Sequence, residues 1–243
     1  MPDDETPDNL AIPRTVLADQ VRDRLLEAIL AGRYPPNSRI VETRVARELG
    51  TSQAPVREAL RGLEALGLIE ISPFRGARVR RLSASELIEA YVVRSELESL
   101  AARLAVPRLT EANLAEFSTF GEAMQAAARA DDRHAVAIAD ASFHAAVIRA
   151  AHNGTLERVW RALEPFSRTY ITLVVPGADA QWTADLHTPI IDALRRRDAE
   201  MVVRALQQHF ADVSARLSDE WPRSAHDPAG TPGIAAEPTP RRA

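Results

Sequence analysis

At 243 residues, with 46% apolar and 26% charged side chains, the chain has ordinary globular composition and room for one or two cored domains. It has no cysteine, which excludes disulfides and thiolate metal sites, and no apolar run reaches the roughly 18 residues of a membrane span. The acidic N-terminus lacks the basic and apolar regions of a signal peptide, so a cytoplasmic protein with no membrane partner is expected.

The net charge of −4 conceals an uneven distribution. Residues 12–82 hold 13 arginines against 8 acids, a balance of +5, whereas residues 83–223 hold 15 against 20, a balance of −5. A basic module joined to an acidic one collects arginines where phosphate contacts would need them.

Residues 1–12, rich in Asp, Pro and Thr, read as a disordered tail. From Arg14 to Ala31 the positions Leu17, Val21, Leu25, Ala28 and Ile29 form a helical stripe closed by Gly32. A Tyr34-Pro35-Pro36-Asn37-Ser38 turn leads into an extended Arg39-Ile40-Val41 piece. Residues 43–49 place Val45, Ala46 and Leu49 on one side of a short helix, and Gly50-Thr51 supplies a tight turn. Over 51–66, Val56, Ala59, Leu60, Leu63 and Leu66 share one helical face. Ser52 is the expected N-cap, Pro55 sits in the tolerant first turn, and Gly67 suits a left-handed stop. Two short helices meeting through a glycine turn are the arrangement that lays a second helix into a DNA major groove. Leu68–Ile71 and Ala77–Arg80 then alternate as two strands around Ser72-Pro73-Phe74-Arg75-Gly76, a hairpin wing.

Past Leu82 the periodicity is helical throughout, with helices expected near 84–105, 110–129, 132–151, 155–175, 179–196 and 198–220. Short connections make neighbours antiparallel. The expected fold is therefore mainly α: a winged helix-turn-helix with a small β-hairpin wing over residues 13–82, then an all-α antiparallel six-helix bundle over 83–222. Pro189 should kink the helix that carries His187. Residues 223–243, proline-rich, read as a second disordered tail.

Chemistry in the bundle rests on Asp140, His144, His187 and His209. Asp140 and His144, four apart on one helix, point the same way, and each later histidine lies near the middle of its own expected helix. Nitrogen and oxygen donors without sulfur suit Zn²⁺, Ni²⁺, Mn²⁺ or Fe²⁺ with open positions. A single buried histidine is more often a hydrogen-bonded core residue than a ligand, and spacing leaves both readings open. His134, His152 and His226 fit surface or capping roles.

The string PVREALRGLEALGLIEISPFRGARV resembles the winged helix-turn-helix of GntR-type bacterial transcription regulators, with their Pro-Val-Arg-Glu-Ala-Leu, Leu-Glu-x-x-Gly and wing Arg-Gly elements. Residues 83–220 resemble the ligand-binding FCD domain of the family's FadR-like branch, whose metal-binding members carry an Asp-x-x-x-His pair on one helix and single histidines on the last two. Asp140-Ala-Ser-Phe-His144 reproduces the pair. The resemblance implies a homodimeric, metabolite-responsive regulator on a palindromic double-stranded DNA operator, more often a repressor relieved by its ligand. It also implies a divalent metal on Asp140, His144, His187 and His209, and a small organic acid effector completing its coordination.

For DNA, Ser52 and Gln53 open the recognition helix, Arg57 follows one turn later, Arg44 lies on the preceding helix, and Gly76 at the wing tip lets backbone approach the duplex. The chain departs from the family in Gln53, where arginine is frequent, and in Thr43-Arg44, which does not clearly supply arginine at the usual position of the preceding helix. For the effector, Arg94 begins an Arg94-Ser-Glu-Leu-Glu98 string like the family's Arg-x-x-Leu-Glu. It can grip a carboxylate or pair with Glu98, and Arg168 is a second candidate. A metal-dependent enzyme fused to a DNA-binding module is the alternative, since an Asp/His₃ site can activate water, though the sequence shows no obvious general base beside the quartet and an inward Glu could escape a reading of the sequence.

Overall fold

The computed structural model describes residues 14–72, 75–163 and 179–220. Helix α1 (Arg14–Leu30) stops before Gly32, whose φ of +75° is a left-handed conformation that glycine adopts at little steric cost. It buries Val21, Leu25, Ala28 and Ile29, but Leu17, first in the expected stripe, stays 37% exposed. After β1 (Arg39–Ile40) come α2 (Glu42–Glu48) and α3 (Gln53–Ala65), followed by β2 (Ile69–Ser72) and β3 (Gly76–Val79). The strands form one antiparallel sheet in the order β1-β3-β2. The wing is thus a hairpin with a third strand, because Arg39 and Ile40 pair with Arg78 and Ala77.

The recognition helix forms as its apolar face requires, with Val56, Ala59, Leu60 and Leu63 buried. They join Val21, Leu25, Ile29, Ile40, Val45, Leu68, Ile69 and Val79 in one core. Gly67 takes φ +71° and ends the helix as expected. Two expectations need correction. Leu49 is 41% exposed rather than packed with Val45 and Ala46, and Ser52 occupies the N-cap position without a side-chain cap bond, leaving its hydroxyl outward.

The second core belongs to the helices. Helix α4 (Ala84–Ala105) opens on a capping box in which Ser83 and Glu86 exchange backbone hydrogen bonds, and after a single 3₁₀ turn (Val106–Arg108) α5 (Glu111–Arg129) opens on another from Thr110 and Asn113. Asp132 caps α6 (Arg133–Ala150). Asn153 caps α7 (Gly154–Arg161), its Oδ1 accepting from the Thr155 and Leu156 amides. Then follow α8 (Ala180–Asp185), α9 (Thr188–Arg195) and α10 (Ala199–Glu220). Helix α6 lies against both α4 and α5, and α10 packs on α4 and α9.

The expected helix over 179–196 is two helices, so the described residues hold seven in this module rather than six. Pro189 is the reason. It falls at the second position of α9, where its missing N–H removes no helical bond, so the chain restarts at His187 instead of kinking. Of the expected helix 155–175, the portion beyond Leu163 lies outside the described residues, as do Arg168, His226, the Pro73-Phe74 turn and the tails 1–12 and 223–243. Among the described residues no helix is long and apolar enough to cross a membrane.

Leu63 is fully buried in the winged module, so Leu63→Ala is expected to cost about 2–5 kcal/mol in urea unfolding, through lost transfer free energy plus the cavity left behind. A change below about 1 kcal/mol would mean that α3 does not pack as described.

Candidate functional site

Four helices deliver the quartet. Asp140 and His144 come from α6, His209 from α10, and His187 from the junction between α8 and α9. All four are buried, and one ligand atom from each lies within 4.8 Å of the others. His187 Nε2 stands 3.1 Å from Asp140 Oδ1 and 3.2 Å from His144 Nε2, while His144 Nε2 is 3.8 Å from Asp140 Oδ1. The Phe143 ring closes one side, edge-on to the imidazoles of His144 and His187.

Proton positions follow from the partners. His187 Nδ1 lies 2.9 Å from the Thr183 carbonyl oxygen, which only accepts, so Nδ1 carries a hydrogen and Nε2 faces the cluster. His144 Nδ1 lies 2.5 Å from Glu98 Oε2. Burial would push the Glu98 carboxyl up, but the charges of His144 and Arg94 outweigh it and hold Glu98 down at about 2. An ionised Glu98 accepts, so His144 also donates from Nδ1 and turns its Nε2 toward the cluster. Such outer partners fix the tautomer and orientation of a metal-binding histidine.

The Nε2 atoms of His144 and His187 and a carboxylate oxygen of Asp140 thus face one another at the centre of the cluster. His209 adds a buried Nδ1 with no hydrogen-bond partner. Burial and the neighbouring histidines push its pKa well below the usual value, so it stays neutral and able to donate a lone pair. The Asp140 carboxyl is held below its usual range: burial raises it, and the His187 hydrogen bond and the charges of His144 and His187 more than compensate. Three nitrogens and one oxygen converging in a dry core fit a divalent cation of the zinc, nickel, manganese or iron type.

Arg94, 1% exposed, is paired with Glu98: its Nε and Nη2 donate to Glu98 Oε1 at 3.1 and 2.7 Å. Its guanidinium carbon sits 5.4 Å from the Trp160 ring centroid and 5.2 Å from that of Phe210, a cation–π sandwich. Trp160 Nε1 donates to the same Glu98 oxygen at 2.7 Å. The i,i+4 spacing signals the Arg94–Glu98 pair. It gives no sign that Glu98 also serves His144 and Trp160, 46 and 62 residues away.

On the winged module Ser52, Gln53 and Arg57 share the exposed opening of α3. Arg57 donates from Nε to Glu42 Oε2 at 2.7 Å and from Nη2 to Gln53 Oε1 at 3.3 Å. The pair is solvent-exposed, so it is worth little and can exchange for a phosphate or a base edge. Arg44 lies 3.7 Å from Glu48 and over the Tyr34 ring. Gly76 takes φ +77°, and a Cβ there would come 3.4 Å from an Arg39 guanidinium nitrogen. Sequence reasoning passed over Arg39, which reaches the wing glycine because β1 pairs with β3.

A winged helix-turn-helix joined to a helical module with a buried, cation-competent cluster defines a two-part regulator, one part for DNA and one for a small molecule. The comparisons name its family. Residues 17–79 match the bacterial regulatory proteins of the gntR family, and residues 89–212 match the FCD domain. The chain is 40% identical over 200 residues, 82% of its length and 88% of the relative's, to a probable D-xylose utilization operon transcriptional repressor of Paenarthrobacter nicotinovorans. To the gluconate operon transcriptional repressor of Bacillus subtilis (strain 168) it is 27% identical, over 79% of this chain and 82% of the relative. Two solved structures share the fold at a TM-score of 0.72, covering 83% of this chain and 97% of theirs: E. coli McbR/YncC, 24% identical, and a putative GntR regulator from Rhodococcus sp. RHA1, 22% identical. The chain belongs to the GntR family of bacterial transcription regulators, with an FCD domain as its second module. It is a regulator rather than the enzyme that the quartet alone left open.

The Glu98 ion pairs carry a pH signature. Its folded-state pKa of about 2 lies below the ordinary 4.5, so its contribution to stability is full above about 4.5 and is lost as pH falls toward 2. Wild type should lose up to about 1.4 kcal/mol per pH unit from this group across that window, and Glu98→Gln should show a flatter profile in urea unfolding. Identical slopes would contradict the ionised Glu98.

Proposed function

We propose that the protein is a metabolite-responsive transcriptional repressor that binds a palindromic operator as a homodimer and is released by a small carboxylate bound at a metal in the helical module. The observation that carries this reading is the burial of Asp140, His144, His187 and His209 with ligand atoms of the first three within 3.8 Å of one another. Imidazole nitrogens and a carboxylate oxygen gathered this closely out of water suit a bound cation. Its cation supplies positive charge and open coordination positions to which a carboxylate can bind.

In this reading residues 13–82 form the DNA module and 83–222 the effector and dimerisation module, with tails over 1–12 and 223–243. Ser52, Gln53, Arg57 and Arg44 face the major groove, and Gly76 with Arg39 lets the wing lie against the sugar-phosphate chain. A two-fold axis relates two such modules, so the operator half-sites repeat about one helical turn apart. The acid's carboxylate meets the cation in this reading, since Arg94 is already paired with Glu98. The relatives' names point to sugar catabolism, which favours a sugar-derived acid as effector. That acid acts through its differential affinity for the two arrangements of the DNA modules, a coupling typically of 1–3 kcal/mol.

Arg57→Ala is expected to weaken operator binding by about 1–3 kcal/mol in fluorescence anisotropy while leaving the dimer intact by light scattering. Unchanged affinity would remove α3 from the interface. Asp140→Ala should co-purify with less than a stoichiometric amount of metal where wild type carries one ion per chain by plasma mass spectrometry. Equal metal content in the two proteins would end the metal reading.

A further inference from the structure

We infer that Glu98 is the positioning residue that carries occupancy of the histidine cluster to α7 and, through Trp160, to the wall facing the DNA module; this rests on the metal reading above. Glu98 has no exposed surface, and its two oxygens serve different parts of the molecule. Oε2 accepts from His144 Nδ1 at 2.5 Å, on the far side of the ring from the cluster. Oε1 accepts from Trp160 Nε1 at 2.7 Å and from Arg94. Trp160 lies in the last turn of α7, and with Ile138, Ser142 and Arg149 of α6 it lines a cavity of about 440 Å³ that Glu27 of α1 also lines. One carboxylate therefore stands between a candidate ligand and the surface where the helical module meets the first helix of the winged module.

The coupling follows from what these bonds cost to break. A cation that draws His144 Nε2 inward moves Nδ1 with the rigid ring. With no exposed surface the ionised Glu98 must follow, because a buried carboxylate that loses a hydrogen-bond donor is strongly destabilised. The carboxylate is itself planar and rigid, so displacement of Oε2 displaces Oε1, and the indole N–H follows for the same reason. Arg94, stacked between Trp160 and Phe210, keeps the charge of Glu98 compensated and ties α10 into the same unit.

Replacing Glu98 with glutamine keeps the shape and breaks the logic. An amide has one accepting oxygen where the carboxylate has two, so either His144 Nδ1 or the Trp160–Arg94 pair meets an N–H in place of an acceptor. The test uses the full chain with Trp182→Phe and Trp221→Phe, which leaves Trp160 as the single indole. Zn²⁺ is titrated against a chromophoric chelator while Trp160 emission is followed. In the single-tryptophan parent, Zn²⁺ binding should shift and rescale the emission. With Glu98→Gln added, the affinity should fall roughly 10–100-fold, as for other outer-shell partners of metal-bound histidine, and the emission change at saturation should be lost. No Zn²⁺ binding in the parent would overturn the metal reading itself. Binding without an emission change in the parent, or an unchanged affinity and emission response in Glu98→Gln, would overturn the role of Glu98 alone. Trp160→Phe, which keeps an aromatic ring and removes the N–H together with part of the indole, provides a second arm. It should bind Zn²⁺ within about threefold of wild type yet lose the Zn²⁺-dependent hydrogen-exchange protection of residues 154–161 that wild type shows; retained protection would contradict the link.

Discussion

Two imidazole nitrogens 3.2 Å apart, each ring held by an acceptor behind it, face each other beside a carboxylate oxygen 3.1 Å from one of them. Burial makes that arrangement sensitive to any positive charge placed among these atoms, and the surrounding helical module holds it in place. The Thr183 carbonyl and Glu98 hold the rings from behind, Phe143 walls one side, and His209 has no partner with which to satisfy its Nδ1. The break between α8 and α9 belongs to the same constraint. It sets His187 at the start of a helix, its ring turned back to a carbonyl of the preceding one.

The winged module works under the opposite electrostatic regime. Its charges are exposed, and the ion pairs of Arg57 with Glu42 and Arg44 with Glu48 are weak enough to give way to phosphates. Burial makes one set of charges fixed and selective, and exposure makes the other set exchangeable and salt-sensitive. A regulator needs both, since the sensing site must hold its geometry while the DNA surface must bind and release.

The sequence made the elements legible wherever one periodicity dominated. The stripe from Val56 to Leu63 and the glycine stop at Gly67 predicted α3, and Asp140 with His144 could be placed on one face of a helix from spacing alone. Legibility failed where a single residue answered to distant partners. Pro189 reads equally as a kink or as a helix start, and only the packing of Ile190 and Ile191 chooses the start. Leu17 and Leu49 look like core on a helical wheel, yet the described residues leave them 37% and 41% exposed. Glu98 is visible as the i+4 partner of Arg94, whereas its bonds to His144 and Trp160 arise from the packing of α4 against α6 and α7, which no local pattern encodes. Arg39 was hidden for a related reason, because its place beside Gly76 depends on a pairing between strands that flank two helices.

The account stands on the claim that a cation in the helical module governs the DNA surface of the winged one. The most direct measurement is fluorescence anisotropy of labelled promoter DNA, bound by protein that is either loaded with one equivalent of divalent metal or stripped with a chelator, under titration with small sugar acids. The account predicts that an acid releases DNA from the metal-loaded protein and has no effect at the same concentration on the stripped protein. Release of equal size and midpoint in both preparations would contradict it.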